Sequence, residues 1–424
     1  MRLDEFIDGL AYDEETRMRQ LAKEKSYAIT EYLADTERRI DETVQGDSLF
    51  GSTSPSIFVG RSGYPQVSAG ILAPVGDEQH ASEYATSGEW YQRGYTIDDV
   101  FQARTGLLNS ARPTDVHVAD EWNGFTGVRR EVAIADRPVD VEVDLDGPPS
   151  IDLDVGRDDI ATPTGPRARA TGAQLTENPH VPRAVEKTLS DDDWRADGAM
   201  AYLYNRGFDV YDINTILSAG ALGRTTNRRL VPTRWSITAV DDTVSQFLRG
   251  QLQNASSIDE VEVRYNEYLG NQFWVLLAPG DWEFELVEMK APGSVWNPDR
   301  SEYWLASDRE GYEGRTQYVE ETAGAYYATR LGVLEHLAER DRQAKVLVLR
   351  NVTDDYWGPV GVWQVRESVR NAFSEEMATA ETFHDAVRQI VPRLPVGTDA
   401  LRRKSNMVAG LQTSLSSFIT TNEG

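Results

Sequence analysis

The chain reads as a mixed α/β protein of two globular domains, with a helical N-terminal arm and a flexible C-terminal tail. Three observations carry this expectation. Residues 320–342 place Ala325, Ala328, Leu331, Leu334, Glu335 and Ala338 on a helical period. The segment that follows, Ala344-Lys345-Val346-Leu347-Val348-Leu349, is an apolar run suited to a buried strand, and a helix feeding a buried strand argues for a mixed α/β core. A polar, Pro-containing stretch from Arg157 to about Pro182 marks a boundary between two such cores, and 424 residues with 40% hydrophobic content are enough to fill them.

Taken in order, residues 1–48 form the arm, since Phe6, Ile7, Leu10, Leu21, Ile29, Leu33 and Ile40 are spaced for one or two charged helices too sparse to hold a core alone. A first mixed α/β domain spans 49–156, where short strands and Gly/Pro turns begin at Ser56-Ile57-Phe58-Val59-Gly60. Within it, residues 139–145 and 151–155 alternate apolar and acidic residues on either side of Gly147-Pro148-Pro149, which predicts an antiparallel hairpin. Residues 157–192 read as linker and 193–395 as a second mixed α/β domain, opening with a helical pattern over 199–217. From 396 to 424 the chain reads as a flexible tail, set off by Pro392, Pro395 and Gly397. No internal repeat of solenoid length is present.

Composition narrows the chemistry. The formal charge is −26, yet only six of the 43 basic residues are Lys (Lys23, Lys25, Lys187, Lys290, Lys345 and Lys404), and the acids are spread throughout. Diffuse acidity of this kind matches the solvation of a cytoplasmic protein in a high-salt cell, where a Debye length of about 3 Å at 1 M salt leaves an anionic partner accessible. There is no cysteine, so disulfides, thiolate catalysis and Cys-ligated zinc are excluded. His80, His117, His180, His336 and His384 show no metal-ligand spacing, and no cofactor is expected. No apolar run is long enough to span a bilayer, and the acidic N-terminus lacks a signal-peptide core.

Two segments combine positive charge with turn geometry. Phe58-Val59-Gly60-Arg61-Ser62-Gly63-Tyr64-Pro65 sets Arg61 between two glycines at a strand exit, where backbone N–H groups and a guanidinium can face a phosphate. Gly223 to Asp242 carries Arg224, Arg228, Arg229 and Arg234 with no acid among them, followed by Trp235, the residue types used for phosphate contact and base stacking. The structural alternative is an ion-pair hub built on Asp241 and Asp242. A third segment, Asp281 to Lys290, alternates so that Trp282, Phe284, Leu286, Glu288 and Lys290 share a face. Its Glu-x-Lys ending resembles part of a metal-dependent nuclease motif, which would need Mg²⁺ and further acids. A structural pairing of Glu288 with Lys290 is the simpler expectation.

At the C-terminus, Gln412, Leu415, Phe418 and Ile419 follow the spacing Gln-x-x-aliphatic-x-x-aromatic-apolar. One tight helical turn would bring Leu415, Phe418 and Ile419 onto one side. This pattern resembles the PCNA-interacting peptide that docks on the sliding clamp. The stretches Ser56 to Pro65 and Leu230 to Asp241 resemble signature segments of the archaeal Nre DNA-repair family, with the tail similar to that of its NreA branch. The resemblance covers the chain from about residue 49 onwards. It implies a repair role in an archaeal cytoplasm, with clamp contacts at Gln412, Leu415, Phe418 and Ile419, DNA as a further partner and other repair enzymes nearby. Many relatives carry a four-cysteine element that this chain lacks.

Overall fold

In the computed structural model of this chain, the residues described are 38–40, 44–45, 47–118, 121–150, 165–294, 296–297, 300–374 and 378–411. The first sheet takes β1 (Val44–Gln45), β2 (Ser48–Ser52), β3 (Ile57–Val59), β4 (Gln66–Pro74), β5 (Leu107–Asp115), β6 (Asp140–Leu145) and β7 (Arg167–Leu175), in the spatial order β1-β2-β6-β7-β5-β4-β3. Its pairings are antiparallel except β5 with β7. In β6, Val141, Val143 and Leu145 turn inward while the intervening acids stay at least partly exposed. The partners of β6 are β2 and β7. Residues 151–155, expected as its hairpin partner, lie outside the described residues.

The stretch expected as a linker supplies β7, which is central to this sheet. Helices α1 (Glu89–Gln92), α2 (Ile97–Thr105) and α3 (Gly124–Ile134) belong to the same half of the chain. Thr96 and Asp99 start α2 with a reciprocal capping box. Phe125, Val132 and Ala133 of α3 join the core against the sheet.

The second half runs through α4 (Arg183–Ser190), α5 (Ala196–Asn205), α6 (Val210–Ser218), α7 (Thr233–Leu252), β8 (Ser256–Ser257), β9 (Val261–Tyr268), β10 (Asn271–Ala278), β11 (Glu283–Lys290) and β12 (Trp304–Glu310). It continues with α8 (Gly324–Arg340), β13 (Arg342–Gln343), β14 (Lys345–Val352), α9 (Trp363–Ala372), β15 (Ala378–Ala380), α10 (Phe383–Ile390) and α11 (Thr398–Lys404). The pattern over 199–217 thus resolves into α5 and α6, that over 320–342 into α8, and the apolar run into β14.

Strands β12-β11-β14-β10-β9-β15 form a six-stranded sheet in which β14 runs parallel to β11 and antiparallel to β10. Both faces are covered, which is why the central strands β10 and β14 carry long apolar runs. Phe273, Val275, Leu286, Val346 and Val348 face the layer that includes α7 and α8; Trp274, Leu276, Val287, Leu347 and Leu349 face a layer formed by Ala386, Ile390, Leu401 and Val408.

The two halves share an aromatic junction. Trp90, Ile97, Val100 and Phe101 pack with Val352, Tyr356, Val360 and Trp363, and Arg104 donates to the carbonyl of Val360 at 3.0 Å. Residues 396–411, expected as part of a flexible tail, are helical over 398–404 and 406–411, and they dock on the second sheet. Both oxygens of buried Glu285 accept hydrogen bonds there, from Ser405 Oγ at 2.7 Å and from the backbone N–H groups of Asn406 and Met407 at 2.7 and 3.0 Å. The arm through residue 37, and residues 412–424 with Gln412, Leu415, Phe418 and Ile419, lie outside the described residues.

Candidate nucleic-acid interface

The two basic segments, distant in sequence, are adjacent in space. At the end of β3 the Val59 N–H donates to Thr233 Oγ1 at 2.9 Å, and that hydroxyl lies 3.3 Å from Ser218 Oγ, which donates to the carbonyl of Val231 at 2.7 Å. The Leu230 N–H donates to Val116 O at 2.9 Å. Beyond β3 the chain turns through Gly63, whose φ of +79° and close approach to Gln66 O would be strained for any side chain. This brings Tyr64 beside Trp235 in the first turn of α7, with ring centroids 5.3 Å apart and planes at 50°. Both rings are well exposed, at 46% and 45%. Arg61, Arg229 and Arg234 are also on the surface. Tyr64 was not singled out by the sequence, because nothing local in the chain signals a neighbour so far along it.

Arg228 does not belong to that surface. It is 3% exposed, and its guanidinium is spent on backbone carbonyls, donating to Gly223 O at 2.9 Å and Leu189 O at 2.7 Å. Its role is to hold the loop entering α7. Arg224 is exposed, and with Arg195 and Asn227 it lines a cleft of about 540 Å³. The turn here is fixed by Asp192, which accepts the Thr225 N–H at 2.6 Å and so places one acid beside the basic segment. The alternative hub on Asp241 and Asp242 is built from other arginines: Asp241 pairs with Arg366 through two bonds of 2.7 Å, and Asp242 with Arg330.

Glu288 is 2% exposed and lies between two cations, with Lys290 Nζ at 3.1 Å and Arg350 Nη1 at 2.5 Å. Lys290 also sits over the Trp304 ring, 4.3 Å from its centroid. Burial pushes the Glu288 carboxyl up, but Lys290 and Arg350 outweigh it and hold the group below its ordinary value. Among the described residues, no group of three His, Cys, Asp or Glu side chains is placed to hold a metal ion. Glu288, Lys290 and Arg350 thus form a buried ion-pair triad, in which the expected partner Lys290 is joined by Arg350. No helix among the described residues is long and apolar enough to cross a membrane.

Residues 21–297 match the sequence profile described as "Archaeal Nre, N-terminal", and residues 310–418 match "Archaeal Nre, C-terminal". The chain belongs to the archaeal Nre family. It is 67% identical over 420 residues to the DNA repair protein NreA of Haloferax volcanii, covering 99% of this chain and 100% of that protein. It is also 36% identical over 390 residues to the DNA repair protein NreA of Archaeoglobus fulgidus, covering 91% and 94% of the two chains. The DNA repair protein NreB of the same organism is 36% identical over 374 residues, covering 88% and 92%. No solved structure shows a significant match. Both basic segments fall within the N-terminal match, and the Gln412 to Phe418 spacing straddles residues up to the last one matched.

Proposed function

We propose that this Nre-family chain acts in DNA repair as a clamp-tethered factor. Its tail, through Gln412, Leu415, Phe418 and Ile419, docks on the sliding clamp PCNA, while Arg61, Arg224, Arg229, Arg234 and Trp235 contact DNA. The observation that carries the repair role is full-length similarity, at 67% identity, to a protein named as a DNA repair protein. The clamp reading is supported by the spacing of the tail, and the DNA reading by the meeting of the two basic segments around exposed aromatic rings. A cytoplasmic, high-salt setting fits the composition.

Clamp docking is tested by titrating purified archaeal PCNA with the full chain and with a chain lacking residues 412–424. Loss of binding with an unchanged melting temperature is the expected result. Phe418→Ala is expected to remove about 2–3 kcal/mol of apolar burial, more than tenfold in affinity. Equal affinity of the full and shortened chains would refute the tether. For DNA, replacing Arg224, Arg229 and Arg234 by Gln is expected to weaken binding and to shallow its dependence on salt, because each lost phosphate contact releases one counterion fewer.

A further inference from the structure

Acidic residues occur throughout this chain, 69 in all, so the places where they are missing are informative. The two longest stretches without Asp or Glu are 48–76 and 213–240. One contains Arg61 and Tyr64; the other contains Arg224, Arg229, Arg234 and Trp235. The hydrogen bond from Val59 to Thr233 and the contact of Tyr64 with Trp235 bring these two stretches together on one surface. Four large apolar side chains are strongly exposed among the described residues, Phe50, Tyr64, Trp235 and Tyr318, and Tyr64 and Trp235 touch each other.

We propose that Tyr64 and Trp235 form a stacking platform for an unpaired base of single-stranded DNA. The inference rests on the reading that this chain contacts DNA and names the form of DNA it takes. At 5.3 Å between centroids the rings are in contact, so a base stacks on their outer faces and not between them. In a duplex both faces of each base are covered by neighbours, so such a platform is usable only by a base that is unstacked, as in a single strand. Arg234 adjoins Trp235 in the chain and Arg61 precedes Tyr64 by one turn, and both arginines are exposed, so this surface carries the cations that tracking a sugar-phosphate backbone requires.

The backbone that carries each ring is hydrogen-bonded. The Trp235 N–H donates to Pro232 O at 2.8 Å in the first turn of a 20-residue helix, while the Tyr64 N–H donates to Arg61 O at 3.4 Å and the Gln66 N–H to Gly63 O at 3.0 Å.

The test uses the full chain in KCl, with a fluorescent single-stranded DNA, a blunt duplex of the same sequence and a matching single-stranded RNA. Tyr64→Ala and Trp235→Ala are each expected to weaken single-stranded DNA binding about tenfold, in keeping with the value of one base–aromatic stack, and to weaken duplex binding much less. Tyr64→Phe and Trp235→Phe keep a π face and are expected to restore most of the binding; they also guard against a folding defect in the Ala variants. Unchanged single-strand affinity in the Ala variants, equal loss on single strand and duplex, or tighter binding of RNA would each overturn the assignment. If the unaltered chain binds no nucleic acid at all, the DNA-contact reading itself falls, and the platform with it.

Discussion

Glu288 holds two cations at once, and only one of them is visible in a window of sequence. Lys290 was legible as the next residue on the same strand face; Arg350 comes from β14, where the parallel register sets it opposite Glu288. Removing the carboxylate charge leaves both cations buried, so Glu288→Gln is expected to destabilise the fold by about 3–5 kcal/mol in urea titrations. The pH dependence has a definite sign. The folded carboxyl lies below its unfolded value, so its contribution is complete above the ordinary glutamate range of about 4.3 and is lost as pH falls through the folded value. Glu288→Gln is therefore expected to flatten the acid limb of the stability curve, and an acid limb of unchanged steepness would contradict the triad. Arg129 presents the opposite case. It is fully buried on α3 with no hydrogen-bond partner for any guanidinium nitrogen among the described residues, and burial, aided by Arg130, lowers it to about 10. Replacing a buried charge that has no hydrogen-bond partner among the described residues, and only Glu121 to offset it, by an apolar side chain of similar length removes a desolvation cost, so Arg129→Met is expected to raise the urea midpoint, by about 1–4 kcal/mol in stability. A lower midpoint would mean that the charge is compensated in the folded protein.

Elements with strong periods were legible, and elements with weak ones were not. The helix α8 and the strands β11 and β14 follow their patterns because all three carry large apolar residues at fixed spacing. The strand β7 escaped detection since its inward residues are Ala168 and Ala170, too small to stand out between Arg167 and Arg169. The docked helices over 398–411 were hidden for a different reason: they offer few apolar anchors, chiefly Leu401 and Val408, and depend on a carboxylate at Glu285 far upstream. This makes a graded truncation informative. A chain ending at residue 411 is expected to melt with the full-length protein, whereas one ending at residue 397 loses two buried aliphatic side chains, worth about 1.5–3 kcal/mol each, and strands Glu285 without its donors. Equal melting temperatures for the two truncations, read by circular dichroism, would show that these helices contribute nothing to the fold.

For the molecule as a whole, a charge of −26 sets up self-repulsion that opposes the compact state at low ionic strength. Self-repulsion among 69 acids weakens as the Debye length falls from about 10 Å at 0.1 M to about 3 Å at 1 M salt. The melting temperature is therefore expected to rise from dilute buffer to molar KCl, and a flat or falling profile would count against a high-salt solvation strategy. The sequence by itself determined the mixed α/β class, the diffuse acidity, the helix and strand type of the strongly periodic segments and the family, because each depends on composition, local period or residue-by-residue likeness. Only the tertiary structure decided that Arg228 is spent on carbonyls inside a loop, that Glu288 answers to Arg350, that the expected linker and part of the expected tail belong to packed layers, and that Tyr64 meets Trp235. Those outcomes are contacts between residues far apart in the chain, and such pairings are fixed by strand order, register and closure of long loops, none of which leaves a periodic mark in the residues that meet.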